Sequence, residues 1–400
     1  MLHNKKLLAV ALAAAAGVSG GAAAQSSNVV LYGKFYPEMI WGHARGGSTS
    51  SVGLATMVNG PTGPASTPTI YSVQASNSRL GIRGEERLTG DLKAIFQLEQ
   101  AIAVDVGGST LASRDTFVGL SSEHWGTVKL GNFDTVYKNL GDTLSFLGVS
   151  SGNFVSNSNI LSKSPLGTQS SNSFHLRRGN SVQYESPDFR GFGLLVQYSP
   201  DEAKTTTRNA DLVSVGGKYE AGPLYAAIAY EKHRDFFGGS RNVRSALSNF
   251  NDQNARSKDE AVRGTVRYQF GELTVEGDVS HVQYRERGGA NGRFQKYEHV
   301  TYLVSGDYRL GPWRFAASYV GGTDGSCSLI GGANCSTDGL DGKQVSIGAS
   351  YSLSRRTQIF ALAAKLWNGK SARYINADWL ADLQPGQDIS QIALGIAHTF

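Results

Sequence analysis

The side chains that most often carry enzyme chemistry are scattered along this sequence. Eight histidines are spread over 400 residues without HExxH spacing, and no GxSxG, P-loop or dinucleotide-binding pattern occurs. The carboxylates of Glu99, Glu185, Glu276 and Asp278 could be cast as acid–base pairs, but we interpret them as solvated charges. The sequence therefore predicts no catalytic site, no metal site and no cofactor.

Cationic side chains at every second position are more informative. Arg79 and Arg83 alternate with Leu80 and Ile82, and Lys129 alternates with apolar neighbours in the same way. Side chains of a β-strand point to opposite faces in turn, so these cations share a face opposite the apolar residues. Cations that share one face of a strand create a positive electrostatic potential, which attracts anions without any covalent step.

The same period of two runs through the rest of the chain. It is clearest in residues 192–198, 262–270 and 389–400, and no long stretch keeps a period of 3.6 residues. The chain has 49 glycines and is 40% hydrophobic, too polar for a bundle of membrane helices. We therefore predict an all-β protein.

The first 24 residues form a basic segment, an apolar segment and a small-residue cleavage site, as in a secretory signal peptide. We expect residues 1–24 to be removed, which leaves a domain of residues 25–400. Without Lys5 and Lys6 the formal net charge falls from +5 to +3. A charge this small, with no dense basic run, argues against nucleic acid as a partner.

Connections between the predicted strands alternate between short and long. The seven short ones are residues 87–91, 123–126, 187–191, 221–223, 270–272, 310–312 and 353–356. The eight long ones lie near 43–76, 105–113, 134–177, 201–210, 234–258, 287–296, 322–342 and 369–388. Fifteen connections join sixteen antiparallel strands, and tight turns at one end with long loops at the other are typical of a transmembrane β-barrel. A soluble sandwich is the alternative, but it has no reason to place every long loop at one end.

The polar face of each predicted strand decides between these two folds. Arg263 and Arg267 share a face opposite apolar residues, as do Lys93 and Glu99. Such charges cannot fill a dry core without a large desolvation cost, whereas a water-filled interior accommodates them. Aromatic residues also recur near predicted strand ends, as in the interfacial girdles of membrane barrels. We therefore expect apolar residues to face lipid and polar residues to face water.

At this point the sequence resembles the trimeric general-diffusion porins of Gram-negative bacteria, most closely their betaproteobacterial branch. The matching stretches are LYGK (31–34), SRLGIRGEE (78–86), LKAIFQLE (92–99), FVGLSS (117–122) and NSVQY (180–184). The last residue, Phe400, fits the terminal aromatic residue that the outer-membrane insertion machinery reads in such proteins. The resemblance implies a homotrimer of sixteen-stranded barrels, short periplasmic turns, long extracellular loops, and a third loop folded into each pore.

The resemblance also implies a basic pore wall. It maps onto Lys34, Arg79, Arg114 and either Arg177 or Arg178, and strand alternation adds Arg83 and Lys129 as candidates. The alternative is that these are ordinary solvated charges away from the narrowest point.

The third loop, residues 134–177, holds only two acids, Asp134 and Asp142, against Lys138, Lys163 and His175. Relatives carry further carboxylate there, and their frequent Arg after Leu-Gly is replaced by Asn132. The balance is positive, so we predict an anion-preferring channel.

Cys327 and Cys335 lie eight residues apart, and export to an oxidising compartment favours a disulfide between them. Metal ligation is the rival interpretation, although no His lies in that loop.

The predicted function is passive diffusion of small hydrophilic solutes and anions across the outer membrane of a Gram-negative cell. The expected partners are outer-membrane lipid and lipopolysaccharide, the barrel assembly machinery, and two further copies of the chain. A substrate-selective channel of the same fold is the main alternative, and an outer-membrane enzyme or an adhesin is a weaker one.

Overall fold

The computed structural model describes most of the chain after residue 26. The described residues are 27–48, 54, 66–75, 77–148, 153–167, 174–202, 205–206, 208–236, 252–380 and 383–400. The expected signal peptide, residues 1–24, lies outside them. Among the described residues, no helix has both the length and the apolar character needed to cross a membrane.

These ranges contain nineteen β-strand segments and two short helices. The strands are β1 (Ser27–Phe35), β2 (Glu38–Gly46), β3 (Ile70–Gln74), β4 (Arg79–Thr89), β5 (Leu92–Ala101), β6 (Thr116–Ser122), β7 (Gly126–Asp134), β8 (Arg177–Glu185), β9 (Phe192–Pro200), β10 (Asp211–Ala221), β11 (Leu224–Arg234), β12 (Arg256–Phe270), β13 (Leu273–Arg287), β14 (Phe294–Leu310), β15 (Trp313–Gly322), β16 (Ser326–Leu329), β17 (Gly342–Ser352), β18 (Thr357–Asn368) and β19 (Gln387–Thr399). The helices are α1 (Val136–Asn139) and α2 (Ser158–Leu161).

The strands form one antiparallel sheet that closes on itself. The last strand pairs with the first, with Lys34 opposite Thr399, and Gly33 and Phe400 exchange two backbone hydrogen bonds of 3.1 Å. Closure leaves no strand edge whose N–H and C=O groups would face hydrocarbon without partners. Phe400 therefore takes part in closing the barrel.

The nineteen segments make up sixteen membrane-spanning strands, as predicted. Segments β1 and β2 are one strand interrupted at Tyr36 and Pro37, where proline supplies no N–H to the ladder. Segments β3 and β4 are likewise one interrupted strand. Segment β16 is a short addition in a long loop and pairs with β14.

The alternation of short and long connections is also confirmed. All seven connections at one end of the barrel consist of two to six residues. Gly90, Gly222, Gly271 and Gly311 each open a two-residue turn with φ between +56° and +60°. That conformation belongs to the type II′ turn, whose twist matches two adjacent antiparallel strands and which favours glycine at its first central position.

The outward face of the barrel is apolar. Val196, Ile228 and Leu394 are 37%, 62% and 53% exposed, whereas the inward neighbour Gln197 is fully buried inside the barrel. An exposed apolar band around a closed barrel is what a bilayer requires, since water would penalise it.

This assignment of faces predicts the outcome of site-directed labelling. Cysteine introduced at Val196, Ile228 or Leu394 should react with a reagent confined to the hydrocarbon phase, because all three side chains project outward. Cysteine at Gln97, whose side chain faces the interior, should react only with a water-soluble reagent. The assignment of faces would fail if the water-soluble reagent modified all four positions and the hydrocarbon-phase reagent modified none.

Candidate pore constriction

The third long loop, between β7 and β8, folds into the barrel and attaches to the far wall. Its described parts form hydrogen bonds with strands β10, β11, β14 and β17. These bonds are Tyr137 N to Ser214 Oγ (2.9 Å), Tyr225 O–H to Leu140 O (3.0 Å), Thr301 O–H to Leu161 O (2.8 Å) and Gln344 Nε2 to Phe154 O (3.2 Å). A loop held at so many points narrows the interior on that side.

Arg263 connects two separate parts of this loop to the wall. Its side chain is 2% exposed and lies 4.2 Å from the centroid of the Tyr137 ring, at the start of the loop. Its guanidinium donates to Ser162 Oγ at 2.7 Å, directly after α2, and to Ser280 Oγ on β13 at 2.9 Å. The planar guanidinium group therefore links two parts of the third loop to strand β13.

Asp142, one of the two predicted loop acids, lies against the barrel wall. Its backbone N–H donates to Asp278 Oδ1 at 3.3 Å, and Asn157 donates to its carboxylate at 2.8 Å. Burial raises the pKa of Asp142 to about 6, with the nearby Asp278 charge adding to the rise. In the structure this acid is packed between the loop and β13 and does not meet the basic wall.

The raised pKa makes the attachment of the loop depend on pH. The protonated form of Asp142 is favoured in the folded loop, so its contribution is complete below the ordinary pKa of 3.8 and is lost as pH rises through about 6. We expect Asp142→Asn to remove this dependence and to stabilise the loop at pH 8 by at most about 3 kcal/mol, with no change at pH 4. Hydrogen exchange of amides 140–146 at both pH values measures the free energy of local opening.

The matched control for this prediction is Asp188→Asn, which removes an exposed acid from a short turn. The control should keep the pH dependence of the wild-type loop. The same slope of opening free energy against pH in wild type and Asp142→Asn would contradict the role given to this carboxyl group.

Asp134, the second predicted loop acid, is held by cations at the end of β7. It accepts from Lys138 at 2.9 Å and from Arg177 at 2.7 Å. Arg177 also pairs with Asp115 at 2.6 Å. This local network neutralises Asp134 and leaves little of the Arg177 charge unbalanced.

The basic wall gathers around a single carboxylate, Glu99. Arg114 pairs with it at 2.5 Å, Arg79 lies 3.9 Å away, and the Tyr32 hydroxyl donates to it at 3.0 Å. Arg83 lies with its guanidinium 5.1 Å from the centre of the Tyr32 ring. Register explains the cluster, because Arg79 is opposite Lys34 on β1 and Gly81 is opposite Glu99 on β5.

Lys34 is where this wall meets the third loop. Its ammonium group donates to Gly148 O at 2.8 Å and lies 4.4 Å from the centroid of the Tyr36 ring. Within the described residues, no carboxylate lies at ion-pair distance from Lys34 or Arg83. Four cations, Lys34, Arg79, Arg83 and Arg114, thus lie around one carboxylate, and only Arg79 and Arg114 pair with it. We call these four residues with Glu99 the basic cluster.

Lys129 and Arg178 lie outside the basic cluster. Lys129 pairs with Glu185 at 2.5 Å, and Arg178 pairs with Asp201 at 3.4 Å and packs on the Phe236 ring. Both face inward, but at other heights along the barrel. Strand alternation correctly predicted that both side chains face the interior. It could not predict their positions along the barrel axis.

The sequence analysis missed one residue of the site and did not recognise the role of another. Glu99 was recognised as facing the interior, but not as the shared partner of two arginines. Arg314 on β15 was not identified, although its charge acts on Lys34 together with those of Arg79 and Arg114. It alternates with Trp313 and Phe315, so the period of two contained a signal for it. Asp307 pairs with it at 2.5 Å.

A family model described as Gram-negative porin matches residues 9–370 of this chain. The chain belongs to that family. It is thus an outer-membrane porin, and the closed barrel with an infolded third loop is its water-filled channel.

Individual relatives agree with this assignment. Outer membrane porin protein 32 of Delftia acidovorans is 29% identical over 99% of this chain and 100% of its own length. Major outer membrane protein P.IB of Neisseria lactamica is 27% identical over 74% of this chain and 78% of its own length. A solved anion-selective porin from Comamonas acidovorans has the same fold, with a TM-score of 0.68, 21% identity and coverage of 94% of this chain and 100% of that one.

Two predicted features of the porin lie away from the basic cluster. Phe400 packs beside Phe35, with ring centroids 5.3 Å apart, at the seam of the barrel. A disulfide joins Cys327 to Cys335 in the long loop after β15. The two cysteines are eight residues apart in sequence, and Cys327 lies opposite Tyr297 of the barrel strand β14.

Proposed function

We propose that this porin lets small hydrophilic solutes diffuse passively and prefers anions to cations. The observation that carries the proposal is the excess of positive charge at the constriction, where only Arg79 and Arg114 of the four cations pair with Glu99. The two acids of the third loop do not offset it, because Asp134 is paired with cations and Asp142 lies against the far wall. Fixed charges in a narrow aqueous gap raise the local concentration of counter-ions.

The relative from Comamonas acidovorans, described as an anion-selective porin, supports the same preference. We assign no enzymatic reaction to this chain, because the proposed passage of anions needs only the electrostatic attraction of the basic cluster. We further propose that residues 1–24 are removed on export and that residues 25–400 form the mature barrel. In this proposal the assembly machinery reads the end of the chain at Phe400, and the barrel is surrounded by lipid and lipopolysaccharide.

We also propose that the porin is a homotrimer. Strands β4–β9 have only 7–11 residues, whereas β12–β14 have 15–17. The barrel wall is therefore shorter on the side formed by β4–β9, which we call the low side. The low side carries outward apolar residues such as Val118, Leu120, Val128 and Leu130, which a neighbouring copy could cover. A solved OmpT structure of Vibrio cholerae, described as a trimer form, shares the fold with a TM-score of 0.61 and 13% identity. Unboiled protein should migrate far above boiled protein on a gel.

Liposome swelling tests the preference with a matched pair of solutes. Glucuronate and glucosamine carry opposite charges on similar sugar rings, so size is held nearly constant. We expect glucuronate to enter several times faster than glucosamine, because the basic cluster attracts it and repels the amine. Faster entry of glucosamine would overturn the anion preference, while the uncharged glucose should enter at an intermediate rate.

A further inference from the structure

Fully buried apolar side chains fill part of the barrel interior at its long-loop end. Tyr284 on β13 and Tyr297 on β14 lie opposite each other, and their rings stack with centroids 6.4 Å apart. Both belong to one apolar cluster that also contains residues of three loops, each 0% exposed: Leu54 of the loop after β2, Leu166 and Phe174 of the third loop, and Leu340 of the loop after β15. Close-packed side chains leave no aqueous path through this part of the mouth.

The loop after β15, which we call loop seven, contacts two other loops at the mouth. Its residues 323–341 continue along β16 and then return toward β17. On the return, Ser336 O accepts from Leu54 N at 2.9 Å, which attaches the loop after β2. Gly339 O accepts from Ser371 N at 2.8 Å, which attaches the loop between β18 and β19. The three loops thus form one layer over the side of the barrel where the strands are longest, which we call the tall side. We call this layer, Leu54 with residues 333–341 and 369–371, the cover.

A disulfide fixes the returning segment of loop seven. Cys327 lies on β16, whereas Cys335 lies on the returning segment, next to Ser336. Both cysteines pack against the apolar cluster, so the bond connects the barrel wall to the cover where the cover rests on that cluster. Both are also partly exposed, so a water-soluble reductant can reach them.

Two exposed hydrogen bonds also tie the returning segment to the start of loop seven. The Thr337 hydroxyl donates to Gly325 O at 2.9 Å, and Asp341 N donates to Asp324 Oδ1 at 2.8 Å. Water competes for the donors and acceptors of such bonds, so each contributes little to holding the loop in place. The covalent bond does not open in this way, and it is therefore the lasting restraint on the returning segment.

An opening lies on the low side of the mouth. A cavity of about 670 Å³ is lined there by residues between 74 and 78, by residues between 101 and 114, and by Asp378 of the loop between β18 and β19. Arg114 of the basic cluster is one of the lining residues, so the cavity leads to the constriction. A solute from outside thus meets the cover on one side of the mouth and this cavity on the other.

We propose that the cover, held by the disulfide between Cys327 and Cys335, limits the size of the hydrophilic solutes that enter the porin from outside. The cover blocks the tall side, so a solute must fit the low-side cavity before it reaches the basic cluster. The two cysteines act as positioning residues, because they hold the cover and do not line that cavity. The proposal rests on passive diffusion through this channel and does not depend on its ion preference.

Exclusion of neutral polyethylene glycols from the full-length porin in a planar bilayer tests this role. A polymer that enters the channel lowers its current, whereas an excluded polymer leaves the current unchanged. In Cys327→Ser, Cys335→Ser, a polymer size that wild type excludes should enter from one face of the membrane, because the cover lies at one end of the barrel. Exclusion from the other face should stay as in wild type.

Reduction of the disulfide provides a second form of the same test. Dithiothreitol breaks the S–S bond, leaves two thiols, and is itself oxidised to a cyclic disulfide. Added to wild type in the bilayer, it should change polymer exclusion as the double substitution does, and it should have no effect on Cys327→Ser, Cys335→Ser. Wild type is already folded when it is reduced, so this form of the test does not depend on the folding of the variant.

A third variant disturbs the cover without touching the disulfide. Leu340→Ser places a hydroxyl in the apolar cluster beneath the cover, so it should also admit the larger polymer from one face. Leu353→Ser, which changes a 57% exposed leucine at a short turn, is the matched control and should exclude polymers as wild type does.

Two outcomes would overturn the proposal. The first is unchanged exclusion from both faces, either in a double variant whose gel mobility shows that it is folded or after reduction of wild type. The second is equal entry of the larger polymer from both faces, which would place the size limit at the third loop. The zero-current potential of the same channels reports ion preference separately, so a wild type without anion preference would contradict the proposed function and leave the size test valid.

Discussion

Replacing Arg79 and Arg114 together by glutamine should shift the ion preference of the porin strongly toward cations. The two substitutions leave Lys34 and Arg83 beside Glu99, so the excess of positive charges in the basic cluster falls from three to one. Each charge acts on a passing ion at several ångströms with an energy of about 0.5–1 kcal/mol in a wet pore. Since anion and cation are affected in opposite directions, the loss of two charges changes their relative free energy in the constriction by about 2–4 kcal/mol before salt screening, and we expect the anion-to-cation permeability ratio to fall by at least about tenfold.

Two variants complete this test. Glu99→Gln removes the only carboxylate of the basic cluster and should raise the anion preference, although Arg79 and Arg114 lose their partner. Arg355→Gln, Arg356→Gln removes the same number of arginines from an exposed short turn and should leave the permeability ratio near that of wild type. An equal shift in this control would show that overall charge, and not the constriction, sets the preference.

Arg263→Leu should release the third loop from the barrel wall. The guanidinium holds Ser162, Ser280 and the Tyr137 ring, and its removal leaves two buried hydroxyl groups without this donor. Breaking a buried polar network of this kind costs about 3–5 kcal/mol. If the loop bears even 3 kcal/mol of that cost, its open population rises about a hundredfold.

Single-channel recording should detect this release as larger and noisier currents, because a detached loop no longer narrows the interior. Arg263→Lys keeps the positive charge but loses the several N–H donors of the planar guanidinium group. Its currents should therefore lie between those of wild type and Arg263→Leu. Arg309→Leu, which removes an exposed arginine near a short turn, serves as the control and should behave as wild type. Quiet, wild-type currents from folded Arg263→Leu would contradict the role of Arg263 in holding the loop.

The barrel could be predicted from sequence because the side chains of a membrane strand alternate between lipid and water with a period of two residues. Alternation of Leu80 and Ile82 with Arg79 and Arg83 gives two faces, and a closed sheet in lipid can have only one orientation of them. The short turns carry their own signal, since a glycine such as Gly222 supplies the positive φ that a tight hairpin needs. Each of these rules acts over a few residues.

The constriction follows from contacts between distant residues, which alternation does not encode. Lys34 meets Gly148 across 114 positions, and the meeting of Arg114 with Glu99 depends on the register of three strands. The third loop follows no period, and its path uses positive φ values at Asp142, Ser145 and Leu147. For this reason the sequence named Asp142 as an acid of the loop but could not say which wall it would face.

The zero-current potential of the wild-type porin in a planar bilayer tests the central claim most directly. With a tenfold KCl gradient, the account predicts a potential nearer the equilibrium potential of chloride than that of potassium, because the basic cluster outnumbers its carboxylate four to one. The potential should move toward zero as salt on both sides is raised and the fixed charges are screened. A potential nearer that of potassium would contradict the account.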